Sequence, residues 1–168
     1  VLEQIRVSAG MEVKSDSGEA EKVPLTANAY EDSIRYQNDS AVFTANGFVA
    51  DQDRQDGITD IFKNGWTANQ KGATITFEVE GSCIGIQYRK TIKLPAPVAE
   101  VVIDDDSTHA VRLDANFDET WGDKLQLDTI AEHIEKEKHK VQITITETHE
   151  TDQLPFYLVS VIASGKEK

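Results

Sequence analysis

From Ala73 onward the chain alternates apolar and polar positions. In ATITFEVEG, Ile75, Phe77 and Val79 share one face and Thr74, Thr76, Glu78 and Glu80 the other, which is the two-residue period of a half-buried strand. Gly81-Ser82 offers a tight turn into CIGIQYRKTIKL, so Ala73 to Lys90 is expected to form a β-hairpin. Further strands are expected at VAEVVIDD (98–105), HAVRLD (109–114), HKVQITITE (139–147) and FYLVSVIAS (156–164). The first third holds only short candidates, LEQIRV, SIRYQ, AVFTA and GITDIF, separated by polar, glycine-containing stretches. Helix is scarce: LDTIAEHIEKEKH carries Leu127, Ile130, Ala131 and Ile134 at helical spacing behind Asp128 as an N-cap, which predicts one short helix or helical turn.

Strands do not alternate with helices, which argues against a parallel α/β sheet. About eight to ten short strands joined by loops fit an all-β fold, an antiparallel two-sheet β-sandwich of the jelly-roll type with at most one short helix. A chain of 168 residues has room for one such core, so residues 1–168 are expected to form a single domain. Hydrophobic residues at 39% and charged residues at 28% are ordinary for a globular protein. EVKSDSGEAEK (12–22) is polar enough to be a flexible loop.

The formal net charge of −13 changes the choice of partners. Phosphate backbones and acidic membrane surfaces attract clustered Lys and Arg, so neither nucleic acid nor membrane is expected as a partner. Neutral sugars, cationic ligands and divalent metals remain open. Cys83 is the single cysteine, which leaves no internal disulfide and no thiolate zinc cluster, and Ile84 and Ile86 beside it point to a buried structural thiol. The start VLEQIRVSAG lacks the basic and apolar blocks of a signal peptide, and without an initiator methionine the chain reads as a segment of a longer one or a processed product. Localisation stays open between the cytoplasm, the cell surface and secretion.

Candidate chemistry is sparse. DQDRQDG resembles a calcium loop through Asp51, Asp53 and Asp56, but Phe62 stands where an EF-hand needs its bidentate Glu, so a solvated acidic turn accounts for it better. IDDDST (103–108) reads as a charged hairpin loop. ETHETD (147–152) gathers Glu147, His149, Glu150 and Asp152 at a strand end, where His149 with Glu147 or Asp152 could act as acid and base. The four histidines show no HExxH pattern. DSTH (106–109) has bare Asp-x-x-His spacing, yet SDSGE is not a Gly-Asp-Ser block and there is no Gly-x-Ser-x-Gly elbow, so no catalytic set is assigned.

Trp66, in NGWTANQKG, and Trp121, in LDANFDETWGDK, each sit beside polar side chains next to a strand. Either indole could present its face to a pyranose ring, with carboxylates beside it for the hydroxyls, or could plug one end of the core. The ligand-binding candidates are therefore Trp66, Trp121, Asp118, Glu119 and His149. Phe117 anchors the loop, and its carboxylates would face a sugar, a calcium ion or a partner domain.

GATITFEVEGSCIGIQYRK, then AEVVIDDD, then HKVQITITETHETDQLPFYLVSVIAS together resemble the jelly-roll accessory domain that stands beside SGNH (GDSL-type) esterase domains in bacterial carbohydrate-active proteins. A Gly-x-x-Ile-x-Phe strand, a glycine turn, a Val-x-Ile-Asp turn, a His-x-Val-x-Ile strand and a last apolar strand follow in the family's order over residues 65–164. The resemblance implies a non-catalytic sandwich, similar to carbohydrate-binding modules, that binds polysaccharide or acylated sugar or packs on an SGNH catalytic domain. A scaffold that binds no sugar, and a hydrolase built on His149, are the alternatives. The Val-x-Ile-Asp turn, which the family ends with glycine, here reads VVIDDDST.

Overall fold

The computed structural model describes residues 30, 32–54, 56–119 and 121–165. The segments LEQIRV and EVKSDSGEAEK lie outside the described residues. Eleven strands follow one another: β1 (Ile34–Tyr36), β2 (Phe43–Asn46), β3 (Val49–Ala50), β4 (Trp66–Ala68), β5 (Thr74–Gly81), β6 (Cys83–Lys90), β7 (Val98–Ile103), β8 (Val111–Asp114), β9 (Lys124–Ala131), β10 (Glu137–Glu147) and β11 (Phe156–Ser164). One sheet runs β3-β4-β11-β6-β9, with β1 also paired to β11, and the other runs β2-β5-β10-β7-β8. All strand pairs are antiparallel. The all-β sandwich is the expected fold.

The alternation in β5 and β10 explains the core. Ile75 pairs with Ile143 and Phe77 with Val141, and all four are buried, while Thr74, Thr76 and Glu78 point away from them. The other sheet supplies Ile84, Ile86, Tyr88, Phe156, Leu158 and Val161. Trp66 lies edge-on to Phe43 and Phe77, with centroids at 5.2 and 5.1 Å. Tyr88 stacks on Phe156 at 5.7 Å.

Two expectations are corrected. β5 and β6 do not form a hairpin: β5 pairs with β2 and β10, β6 with β9 and β11, and Gly81-Ser82 is a corner between the sheets. A Cβ on Gly81 would meet the Ser164 carbonyl at 2.5 Å, and the Ser82 N–H donates to that same carbonyl at 2.8 Å. Residues 127–131 are not helical but complete β9, whose backbone pairs with β6 from Ile84 to Lys90. The edge of β6 needs partners for its backbone groups, and this outweighs a short apolar pattern of helical spacing. Asp128 caps no helix; it accepts from the Tyr88 hydroxyl at 2.8 Å and from the Gln126 amide at 2.5 Å. The helical element among the described residues is a 3-10 turn at Ser107–His109.

Candidate functional site

Strand register decides which loops meet. Val98 stands opposite both Asp114 and Glu147, and Lys90 stands opposite Lys124. Tyr88 stands opposite Leu158, near the start of β11. The connections 91–97, 115–123 and 148–155 therefore gather at one end of the sandwich. Trp121, Asp118, Glu119 and His149 all lie on these loops.

Thr91 closes the 115–123 loop at both ends. Its N–H donates to Ala115 O at 2.8 Å, and its carbonyl accepts from the Phe117 N–H at 3.1 Å. Its hydroxyl donates to Asp123 Oδ1 at 2.7 Å. Asn116 adds a two-way clasp, accepting from the Ala96 N–H at 2.9 Å and donating to Ala96 O at 3.1 Å. Phe117 is buried and anchors the loop as expected, with the Lys124 ammonium 5.6 Å from its ring centre.

Behind the loop, Arg89 lies against the rings of Tyr157 and Phe62, at 5.4 and 5.8 Å from their centroids. Its guanidinium donates to Pro155 O at 3.0 Å and lies 3.8 Å from Asp123 Oδ2. Burial lowers its affinity for its proton, while the charge of Asp123 opposes that effect. The Tyr157 hydroxyl donates to Asp51 Oδ2 at 2.5 Å and accepts from the Gly65 N–H at 3.3 Å. Burial, followed by the bond to Asp51, raises the pKa of this phenol, so it stays a donor. Arg89 thus joins β6 to the 115–123 and 148–155 connections, a role that sequence patterning does not single out. Its one signal is an arginine on a strand of whose other seven residues five are buried.

The predicted site residues divide. Trp121 is 77% exposed and Trp66 0%. Asp118 and Glu119 are exposed and have no hydrogen-bond or ion-pair partner among the described residues. Gly122 has open space where a side chain would stand. Trp66 fills the core and cannot offer its face to a ligand, which corrects its place among the binding candidates. His149 closes a turn on Asp152, its N–H donating to Oδ2 at 2.8 Å and its Nδ1 lying 3.1 Å from Oδ1. Glu147 is bound instead by Arg112, which also reaches Asp114 at 3.3 Å. Of the two carboxylates expected beside His149, Glu147 is therefore taken by Arg112, and Asp152 is the one that His149 meets.

In the acidic run at Asp51, both Asp51 and Asp53 are likewise committed to protein donors. Asp51 Oδ1 accepts from the Asp53 N–H at 2.9 Å, and Lys63 donates to Asp53 at 2.6 Å. Among the described residues no three His, Cys, Asp or Glu side chains gather as metal ligands would.

No family model matches the chain. No curated protein matches it. Among solved structures, a two-domain esterase active on acetylated mannans, co-crystallised with mannopentaose, is 56% identical over 99% of this chain, with a TM-score of 0.83. The chain spans 43% of that esterase, less than half its length. Xyl-CBM35, solved with a glucuronic acid containing disaccharide, matches 80% of this chain and 99% of its own at 17% identity and a TM-score of 0.51. The CBM36-1 domain of a multidomain xylanase from the hindgut metagenome of Trinervitermes trinervoides matches 81% of this chain and 99% of its own at 7% identity and a TM-score of 0.52.

The chain has the jelly-roll fold of a carbohydrate-binding-module-like accessory domain. Two of its matches are binding modules over nearly their whole length, and the third is one part of a larger esterase. The match to the esterase covers only one part of that larger protein. The side chains exposed at the loop end include one indole, the carboxylates of Asp118, Glu119 and Glu150, the Lys93 ammonium and a half-exposed imidazole.

Proposed function

We propose that this chain is the glycan-recognising accessory module of an SGNH-type carbohydrate esterase, and that the loop end bearing Trp121 binds mannan chains. The observation that carries the reading is its 56% identity, over nearly the whole chain, to part of an esterase active on acetylated mannans. The geometry supports it in physical terms. An exposed indole offers a flat apolar face to the axial hydrogens of a pyranose, and unpartnered carboxylates accept hydrogen bonds from its hydroxyls. Asp118 and Glu119 supply those acceptors, with His149 on the neighbouring loop. The net charge of −13 does not oppose a neutral polysaccharide.

Calorimetry of the pure chain against mannopentaose and soluble acetylated mannan, with and without calcium, tests the proposal. Saturable binding is expected, weakened at least about tenfold by Trp121→Ala, the loss of roughly one stacking contact. Heat flow indistinguishable from buffer across the mannans would overturn it. A second reading, in which the module mainly packs against its catalytic domain, is favoured by the chain's 43% share of the related esterase. Under that reading the separately produced remainder of the parent protein co-elutes with the module while every glycan fails to bind.

A further inference from the structure

At the opposite end of the sandwich, β7 passes toward β8 through a turn over residues 103–106. Asp104 and Asp105 there take φ angles of 51° and 61°, and the Asp106 N–H donates to Ile103 O at 3.0 Å. Two successive left-handed residues make the type I′ geometry that Asn and Gly favour and Asp-Asp adopts less readily. Side-chain contacts hold it. The Lys140 N–H donates to Asp104 Oδ1 at 2.8 Å, and Lys140 Nζ to Asp105 Oδ1 at 2.7 Å.

The third contact comes from His139, on the inner face of β10 and 4% exposed. Its Nδ1 lies 2.7 Å from Asp104 Oδ2, and its Nε2 lies 2.9 Å from Glu135 O. A carboxylate and a backbone carbonyl are both acceptors, so both ring nitrogens have to donate, which only the imidazolium can do. A neutral ring would set a bare lone pair against one of the two oxygens.

We propose that His139 is a proton-operated clasp: as imidazolium it ties the β7–β8 turn to the 132–136 connection ahead of β10, and loss of its proton frees that end of the sandwich. The segments it joins bound a cavity of about 320 Å³ between Ile103 of one sheet and Ile130 and Ile134 beside the other. Among the described residues the connection is also tied by the Ile134 N–H to Ser82 O at 3.1 Å and by the Tyr30 hydroxyl to Glu132 Oε1 at 2.7 Å.

The charges around His139 favour its proton. From the β7–β8 side it meets Asp104, and Asp106 and His109, themselves paired at 2.6 Å, line the same cavity. From its own strand Glu137 adds negative charge. β5 sets Val79 opposite His139 and turns the alternate positions Glu78 and Glu80 to the other face. Lys140 reaches outward to Asp105. β9 presents apolar Ile130 and Ala131.

Burial lowers the pKa of His139, but the bonds to Asp104 and Glu135 and the charges of Asp104 and Glu137 outweigh it, leaving the value above the ordinary 6.5. Burial raises that of Asp104, and the bonds from His139 and the Lys140 N–H bring it below the ordinary 3.8. The stability from His139 is therefore complete below pH 6.5 and lost as pH rises through the raised folded value. The Asp104 share is present above 3.8 and lost as pH falls through its lowered value. The clasp is strongest between the two.

The test combines ring-nitrogen NMR with amide exchange of Ile134 and Asp106, corrected for intrinsic rates, between about pH 5.5 and about pH 9. His139 is expected to show two protonated nitrogens at the acid end. Protection of both amides is expected to fall toward the alkaline end as the raised pKa of His139 is crossed. In His139→Gln the fall should vanish, and in Asp104→Asn, which keeps the imidazole, release should move to lower pH. A neutral His139 at about pH 5.5 in the native chain, or protection that does not change with pH, would overturn the proposal. Both of these measurements use the unmodified protein, so they decide the matter even where a variant fails to fold.

Discussion

Trp66 buries its whole indole against Phe43 and Phe77, so truncation there removes the largest side chain of the core. Trp66→Ala is expected to destabilise the domain by about 3–5 kcal/mol, the range for buried aromatic truncations. Trp121→Ala, which removes an exposed ring, should stay within about 0.5 kcal/mol. Urea unfolding of the two variants beside the parent protein measures the difference; equal losses would mean that Trp121 packs as core. Sequence alone does not separate the pair, because NGWT and TWGD are both polar, glycine-containing contexts. What separates them is long-range: Trp66 opens a strand that pairs with β11, so its inward side faces the other sheet. Trp121 precedes β9 without entering it.

On the scale of elements, the 115–123 loop is held by one threonine more than by its own turns. Thr91→Val keeps the β-branched shape and the two backbone bonds but deletes the hydroxyl that bonds Asp123. Asp123 is then left with Arg89 at 3.8 Å. A stability loss of about 1–2 kcal/mol is expected from that bond, with faster motion of the Trp121 indole N–H in NMR relaxation. An unchanged indole would place the loop's order in Asn116 and Phe117 alone. Such a hub is not legible in the sequence, because Thr91 meets its partners 24 to 32 positions away only once both sheets are assembled. The long strands are legible, since β5, β10 and β11 are apolar at every core-facing position but one or two. Their partners are not: a two-residue period is identical in a hairpin and in a strand pair that crosses between sheets, so the corner at Gly81 has the pattern of a hairpin turn. At β9 two periods coexist, and the open edge of β6 selects the extended one.

For the whole molecule, thirty Asp and Glu against seventeen Lys and Arg leave a net −13 on one chain of 168 residues. Such an excess repels itself in the compact state, and the repulsion is screened once the Debye length falls below the spacing of the surface charges. Raising sodium chloride from about 20 mM to about 500 mM, where screening acts within about 5 Å, is therefore expected to raise the thermal midpoint. The same salt series separates the two functional readings. Stacking of an indole on a neutral mannan involves no net charge on the ligand, so its dissociation constant should hold within about twofold across the series. Docking of this acidic surface on a basic domain would instead weaken steeply with salt. Calorimetry with mannopentaose at both ends of the range gives the first result, and co-elution with the remainder of the parent chain gives the second. Mannan affinity that fell with salt would mean that charge, and not the Trp121 face, holds the polysaccharide.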